Sequence, residues 1–360
     1  MNWFLMLFIW LLFVAIYASR INTYSNEYIY NTEIKKVRLS FAIIAFCPIF
    51  LLAVFGDPLG DVPSYLSHFS RLPESVLEYG SYVDKETTGK GFIFLGILIK
   101  NIFGNNQTAY RVIIGLLQSI PVILILREYS ENYLMSVFLF VATGFHIGWM
   151  MNGLRQFLAV VIIFAATPFL VKKKYIPLLL MIMLAMWVHT SAALMVPVVF
   201  IVQGKSWNRR TVLTLIACII AMYLSSRYTN ILDVFLKGTE YENTMTIYSR
   251  LGDDGVNPIR VLISSIPMLL AFIGYRIIVE EDNPVINILT NMSVINTGLY
   301  LIGMVTNGIM VGRLPAYTSI YNLLFIPYLI NHIFTERTRE ILYYILIAFY
   351  IVYYYFDYGF

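Results

Sequence analysis

The chain has 360 residues, of which 59% are hydrophobic and only 13% are charged. An ordinary soluble domain is about a quarter charged, and apolar runs recur along this whole chain, so the composition excludes a soluble globular protein. The net charge of +4 suggests no nucleic-acid partner. The sequence therefore predicts a polytopic membrane protein.

The apolar runs are continuous rather than alternating, which predicts an all-α protein. The first run has no basic residue ahead of it and no convincing cleavage site after it, which predicts a retained span rather than a secretory signal peptide. About twelve transmembrane helices are predicted, near 2–18, 39–55, 108–126, 133–151, 155–171, 175–188, 191–203, 211–224, 258–279, 284–305, 314–334 and 340–356.

The basic residues predict the orientation of these spans. Clusters at 20–38, 172–174, 205–210 and 337–339 all fall on one side if both termini are outside, and the positive-inside rule makes that side cytoplasmic. Residues 1–360 are then a single integral membrane domain, with outer loops at about 56–107 and 225–257. Within the first loop, 91–103 would form a helix of about 20 Å, which is too short to cross and predicts a short re-entrant or interfacial helix.

Three arginines share an unusual position in this topology. Arg155, in 149-WMMNGLRQFLAVVIIFAA-166, lies at the outer N-terminal end of an inward-running helix, and Arg260 and Arg313 lie at or beside two others. A helix N-terminus already carries about half a positive charge, so a cation placed there predicts a nearby anion. Backbone N–H groups and a guanidinium fork suit phosphate or diphosphate, and Asn152 and Gln156 flank Arg155.

Other interpretations of these arginines are open at this point. They can pair with loop carboxylates such as Asp57 or Asp254, or extend to lipid headgroups. His189, at an outer turn, is either a packing residue or a proton acceptor or donor to substrate. In 60-GDVPSYLSHF-69, Asp61 is either a plain loop acid or N-cap, or a catalytic carboxylate beside the aromatic Tyr65.

No metal site is predicted, because the remaining histidines have no partner at ligand spacing. Cys47 and Cys218 are far apart and lack metal or redox spacing. No Walker or dinucleotide fingerprint is present, so neither a nucleotide nor another cofactor is predicted.

The central part of the sequence resembles a known family. The runs 152-NGLRQFLAVVIIFAATPFLVKKK-174 and 184-LAMWVHTSAALMVPVVF-200 are similar to the central signature of the EpsG-like family of bacterial exopolysaccharide polymerases, which are related to Wzy-type O-antigen and capsule polymerases. Residues Asp61 to Tyr65 resemble an early Asp…Tyr motif of that family, and 313-RLPAY-317 resembles a late Arg…Tyr element. One departure is at 89-GKGF-92, where relatives often carry an acid.

The resemblance implies a membrane glycosyltransferase of GT-C-like architecture, independent of metal and nucleotide. Its relatives join oligosaccharide repeat units carried on undecaprenyl diphosphate, at the outer face of the bacterial cytoplasmic membrane. The implied partners are a lipid-linked donor and acceptor within the bilayer, with a chain-length regulator and a flippase. Arg155 would stabilise the departing diphosphate, His189 and Asp61 are the catalytic candidates for proton transfer, and Tyr65 and Tyr317 are sugar-binding candidates.

Two other functions compete with a polymerase. A flippase or transporter of lipid-linked oligosaccharide would be expected to show inverted repeats and broken or charged helices near the midplane, but the conspicuous polar residues lie at predicted outer ends. A membrane sugar O-acyltransferase would also use a histidine, but one that a cytoplasmic acyl donor reaches. The predicted outer position of His189 therefore counts against this function.

Overall fold

A computed structural model describes residues 3–29, 32–83, 88–225, 255–306 and 311–358. The chain divides into two compact units, which are described separately here. Unit 1 comprises Met1–Ala193 together with Glu336–Phe360, and unit 2 comprises Leu194–Thr335. The single integral domain stays a prediction. Most of the expected outer loop 225–257 lies outside the described residues.

Unit 1 is built from short and medium helices that follow the predicted apolar runs closely. The predicted runs 39–55 and 175–188 match their helices at both ends. The helices are α1 (Trp3–Arg20), α2 (Leu39–Phe55), α3 (Val62–Arg71), α4 (Tyr79–Val83), α5 (Lys90–Phe103), α6 (Gln107–Tyr129), α7 (Tyr133–Ala142), α8 (Phe145–Met151), α9 (Leu154–Ala165), α10 (Thr167–Val171) and α11 (Tyr175–Val188), with 3-10 turns at Val76–Glu78 and Thr190–Leu194.

Unit 2 continues the helical pattern, and the last helix of the chain belongs to unit 1. The described helices of unit 2 are α12 (Met195–Ile201), α13 (Arg209–Ser225), α14 (Pro258–Ile273), α15 (Tyr275–Glu281), α16 (Pro284–Val305), α17 (Ala316–Ser319) and α18 (Asn322–Ile333), with a 3-10 turn at Val311–Arg313; the final helix is α19 (Glu336–Tyr358).

The described residues are helical as predicted, apart from one β-hairpin. Strands β1 (Tyr24–Ile29) and β2 (Thr32–Val37) pair antiparallel, with Tyr24 opposite Val37. The segment is rich in Tyr, Ile, Thr and Val, which favour strands, and it alternates them with polar residues. It is too short and too polar to have been predicted as a span.

The helices are consistent with a membrane protein, but the number of spans is less than was expected from the apolar runs. Among the described residues, α1, α6 and α16 can each cross a membrane by length and composition, and the total there is five if the bent pairs α7–α8 and α14–α15 each count as one span. Those pairs bend by 68° and 71°, where Gly144 adopts a left-handed backbone and Gly274 ends α14. The twelve spans stay a prediction.

Several predicted spans are broken into two helices. The run 155–171 forms α9 and α10, because Pro168 has no N–H to continue the hydrogen-bond ladder. The run 191–203 begins as a 3-10 turn, and 314–334 forms α17 and α18. Residues 56–107, expected as an outer loop, contain α3, α4 and α5.

Helix α5 is anchored inside unit 1 by a buried lysine. Lys100 is 5% exposed, and its Nζ donates to the carbonyl oxygens of Ser70 at 2.9 Å and Leu72 at 2.6 Å. These carbonyls belong to the C-terminal end of α3, where the helix itself provides no donor. Lys100 therefore ties α3 to α5. Arg111 does the same for α2, by donating to the carbonyl of Gly56 at 2.7 Å.

The interior of unit 2 contains a ladder of polar side chains on α16. The amide of Asn291 donates to the carbonyls of Val202 and Lys205, each at 3.0 Å. One turn earlier, Asn287 accepts from the Ser206 backbone at 2.7 Å and donates to Asp282 at 2.9 Å. The hydrogen bond from Asn287, with Lys205 nearby, holds the pKa of Asp282 below its usual value. These bonds fix the α12–α13 connection to α16.

Candidate functional site

The starts of α5 and α9 are among the described helix starts of unit 1 that have no side-chain cap. Asn106, Asn257 and Asn283 each accept a backbone N–H at the start of α6, α14 and α16. The N-cap positions of α5 and α9 are Gly89 and Gly153, which make no such bond. First-turn N–H groups have no partner within their own helix, so these two starts keep donors for another acceptor.

Arg155 connects these two helix starts. It is the second residue of α9, and its Nη1 atom lies 3.5 Å from Thr88 Oγ1, just ahead of α5. A methyl group at Gly89 would lie only 2.5 Å from the same nitrogen. The guanidinium therefore rests on the segment Thr88–Phe92, which we call the α5 start.

No carboxylate neutralises Arg155 within the described residues. Its long hydrogen bond goes to a hydroxyl, and its Nε is buried without a hydrogen-bond partner there. Two helix N-termini and a guanidinium thus place positive charge at one location, which favours a negatively charged group there. The alternative that Arg155 pairs with a loop acid such as Asp57 is not observed in the described residues.

Asn152 links the start of α9 to Asp61. Its Oδ1 accepts the backbone N–H of Asp61 at 2.7 Å, and its side chain packs closely on Gly60, whose φ of +53° gives the turn before α3. Asp61 occupies the N-cap position of α3, yet its carboxylate makes no capping bond. Asp61 is exposed to solvent. Its partner Asn152 lies three positions before Arg155 in the sequence.

The end of α11 packs on the α5 start from another direction. A methyl group at Gly91 would lie 2.7 Å from the indole of Trp187 and 3.0 Å from its backbone carbonyl carbon. The ring of Trp187 also lies 5.4 Å from that of Phe94. His189 comes two residues after Trp187 and is the C-cap of α11. The α5 start therefore contacts both Arg155 and the end of α11, which leads to His189.

The hydrogen bonds of His189 determine which ring nitrogen carries the proton. Its Nδ1 accepts the backbone N–H of Ser191 at 3.3 Å and lies 2.8 Å from Ser191 Oγ. A backbone N–H can only donate, so Nδ1 must present a lone pair and the neutral ring carries its proton on Nε2. In this arrangement Nδ1 is occupied as an acceptor and Nε2 carries the ring's donor hydrogen.

The remaining candidates of unit 1 differ in accessibility. Tyr65 is half-buried, and its ring meets that of Phe92 edge to face at 5.6 Å, so it also reaches the α5 start. Gln156 is 4% exposed; its amide is inside the helix packing, and its part in diphosphate binding stays a prediction.

In unit 2, the segments next to Arg260 and Arg313 contact the C-terminal end of α16. Val256, four residues before Arg260, donates its N–H to the Gly303 carbonyl at 2.9 Å. Gly312, next to Arg313, comes within 3.4 Å of a methyl group placed on Gly303. Both arginines are half-buried. They thus follow segments that contact the same helix end.

Tyr317 does not have the exposure expected of a sugar platform. Its side chain is 0% exposed, and its helix α17 is tied to α16 by Thr318, whose Oγ1 donates to Asn296 Oδ1 at 3.0 Å. The ring contributes to the core of unit 2, and its contact with sugar stays a prediction.

The sequence model of one protein family matches nearly the whole chain. The model of the EpsG family matches residues 38–358, from the end of β2 to the last helix. The chain belongs to the EpsG family. The resemblance inferred from the central motif is therefore confirmed. No curated protein and no solved structure matches the chain.

Membership of the EpsG family carries a general function. The family indicates a polymerase of the glycosyltransferase type in exopolysaccharide biosynthesis, and the long apolar helices fit a membrane location. Within the described residues, no group of three or more His, Cys, Asp or Glu side chains is placed to hold a metal ion.

Sequence reasoning did not identify the α5 start as part of the site of this EpsG-family chain. Gly89, Lys90 and Gly91 were noticed only as a departure from the pattern of relatives. The available signal was a pair of glycines two residues apart, directly ahead of an apolar run. Such glycines often mark a close approach of the backbone to another group.

Proposed function

We propose that this chain polymerises oligosaccharide repeat units carried on undecaprenyl diphosphate, at the outer face of the bacterial cytoplasmic membrane, for an O-antigen, capsule or exopolysaccharide. The observation that supports it best is Arg155, whose guanidinium rests on the start of α5 while its own residue lies in the first turn of α9. This arrangement favours an anion of high charge with several oxygen acceptors, and a sugar diphosphate is such an anion.

The proposed reaction is a displacement at the anomeric carbon of the donor. A hydroxyl oxygen of the acceptor unit forms the new C–O bond, while the bond between the anomeric carbon and the diphosphate oxygen breaks. Undecaprenyl diphosphate leaves with the bonding pair, and Arg155 together with the N-terminal end of α5 stabilises its growing charge. The hydroxyl proton passes to a base.

Asp61 is the base that the geometry favours. Its carboxylate is exposed and makes no capping bond, whereas its backbone is held by Asn152. His189 presents Nε2–H and suits a hydrogen bond to a sugar oxygen or to the leaving group. Tyr65 offers an aromatic edge for a sugar ring at the same place.

Two lipid-linked substrates take part in this reaction, and each carries a diphosphate. We also assign Arg260 and Arg313, which are half-buried in unit 2, to diphosphate binding. GT-C-like architecture and independence from metal and nucleotide are part of the same proposal.

Reconstitution tests this function directly. Purified protein in liposomes, supplied with synthetic undecaprenyl-diphosphate-linked repeat units alone, is expected to release undecaprenyl diphosphate and form a ladder of polymers. Absence of both products with a correctly folded protein and the cognate repeat unit would contradict the proposal.

Cysteine labelling tests the proposed orientation of unit 1. Helices α9 and α11 pack together, and Lys172–Lys174 lie beyond the end of α9 that is farther from Arg155. In a chain with Cys47 and Cys218 replaced by Ala, we expect Lys90→Cys to react from outside with a membrane-impermeant thiol reagent. Lys174→Cys, which is also exposed, should react only after the membrane is permeabilised. The reverse pattern would place the site inside.

A further inference from the structure

The α5 start contains two glycines whose missing side chains make room for different parts of the site. Gly89 is the N-cap of α5, and Gly91 lies in its first turn. Arg155 approaches Gly89, and Trp187 at the end of α11 approaches Gly91. One short segment therefore determines how close two separate elements come to the same helix start.

The approach at Gly89 leaves no room for a side chain. A methyl group there would lie 2.5 Å from Nη1 and 2.9 Å from Cδ of Arg155, whereas nonbonded atoms pack at about 3.5–4.0 Å. Its φ of +71° also favours glycine. Substitution would push the guanidinium about 1 Å away from the α5 start.

At Gly91 the close contact is with the backbone of Trp187 as well as with its ring. A methyl group there would meet the Trp187 indole at 2.7 Å and the Trp187 carbonyl carbon at 3.0 Å. The ring alone can rotate, but the backbone can move only together with the end of α11. That end leads within two residues to His189.

We propose that Gly89 and Gly91 are positioning residues of the polymerase, which set the places of Arg155 and His189 against the α5 start. The inference rests on the proposed function of those two side chains. Neither glycine touches the reacting atoms; each acts by permitting a close approach. A displacement of about 1 Å in a catalytic group costs about 100-fold in rate.

The chain offers a matched control for each glycine. Gly104 ends the same helix with φ +67°, and a methyl group there would meet nothing within 4 Å. Gly104 combines this φ with a ψ of −162°, whereas Gly89 has a ψ of 31°, so Gly104→Ala carries at least as much backbone strain as Gly89→Ala but displaces no neighbour. Gly148 lies within α8 and is equally open, so Gly148→Ala controls for Gly91→Ala.

The first measurement is the steady-state rate of polymerisation with reconstituted protein. We expect Gly89→Ala and Gly91→Ala to lower kcat about 10- to 100-fold, with KM changed less than about threefold, because positioning acts on the transition state. Gly104→Ala and Gly148→Ala should keep kcat within about twofold of the parent. Equal losses in a glycine and its control would overturn the inference.

A double-mutant cycle separates positioning from general damage. Removal of the Arg155 side chain leaves nothing for a methyl group at Gly89 to displace, so Gly89→Ala should cost less than about twofold in an Arg155→Ala background. In a His189→Ala background a methyl group at Gly91 still meets Trp187, but there is no imidazole left to misplace, so Gly91→Ala should again cost less than about twofold. If Gly89→Ala alone does not accumulate, the double variant should accumulate again, and failure to do so would also contradict positioning.

The outcomes for the inference and for the proposed function are distinct. Full activity of Arg155→Ala would refute the diphosphate role itself. If Arg155→Ala is inactive but Gly89→Ala costs the same in both backgrounds, the diphosphate role stands and only the positioning role is wrong.

Discussion

Replacement of Arg155 by Ala is expected to lower polymerisation about 10²- to 10³-fold, which is the usual cost of losing one donor to a developing oxyanion. The guanidinium rests on the α5 start, near N–H groups that no side chain caps, so its removal takes away the principal charge at the leaving group. Cells that carry the variant should accumulate single lipid-linked units, measured by mass spectrometry of the lipid fraction, while protein abundance is unchanged.

Two further variants sharpen this prediction. Arg155→Lys should recover only a small part of the activity, because an ammonium group cannot reproduce the planar fork that binds two oxygens. Arg71, at the opposite end of α3 from Asp61, is exposed and donates to the Ser67 carbonyl at 3.3 Å, so Arg71→Ala should behave like the parent. Normal polymer length and amount in Arg155→Ala would remove this arginine from the mechanism.

The same experiment distinguishes a polymerase from a flippase. The bent pairs α7–α8 and α14–α15 are broken helices of the kind that transporters contain. Loss of a polymerase leaves the single lipid-linked units at the outer face, where a periplasmic glycosidase can cleave them. Loss of a flippase leaves them inside and protected. The diphosphate site proposed at Arg155 favours the first result.

The sequence predicted the positions of several long helices because each one coincides with a continuous apolar run. The runs 39–55, 175–188 and 284–305 have the same bounds as α2, α11 and α16. The bends near Gly144 and Gly274 were not predicted, since an apolar run looks the same whether its helix is straight or bent. Hydropathy reflects the free energy of transferring side chains from water into lipid. The bend instead depends on one or two backbone dihedral angles.

The candidate site was predicted in part, for a different physical reason. Arg155 and Asn152 were conspicuous because a cation and an amide in an apolar run are costly without a function. Gly89 and Gly91 gave no such signal, since glycine is neutral and common. Their importance comes from contacts with Arg155 and Trp187, which are about 66 to 96 positions later in the chain, and no local pattern encodes such contacts.

Asp61→Asn is expected to lower turnover about 10²- to 10⁴-fold, the usual contribution of a positioned base. The amide keeps the size of the carboxylate, and the bond to Asn152 uses the backbone N–H of residue 61, so the turn before α3 should be preserved. Asp57, an exposed acid in the same loop, provides the control, and Asp57→Asn should keep normal turnover. Purified protein with synthetic lipid-linked donor and acceptor gives the measurement, and donor binding should persist.

The companion variants of His189 test whether it acts as a donor. Because Ser191 donates its backbone N–H to Nδ1, the proton of the neutral ring lies on Nε2. The amide nitrogen of Gln can occupy a similar position, so His189→Gln should keep turnover within about tenfold, whereas His189→Ala should lose about 100-fold. A base gives the opposite pattern, since neither Gln nor Ala accepts a proton and both would fail equally. Equal failure of the two His189 variants, with near-normal turnover of Asp61→Asn, would transfer the role of base from Asp61 to His189 and require the Ser191 contact to break during the reaction.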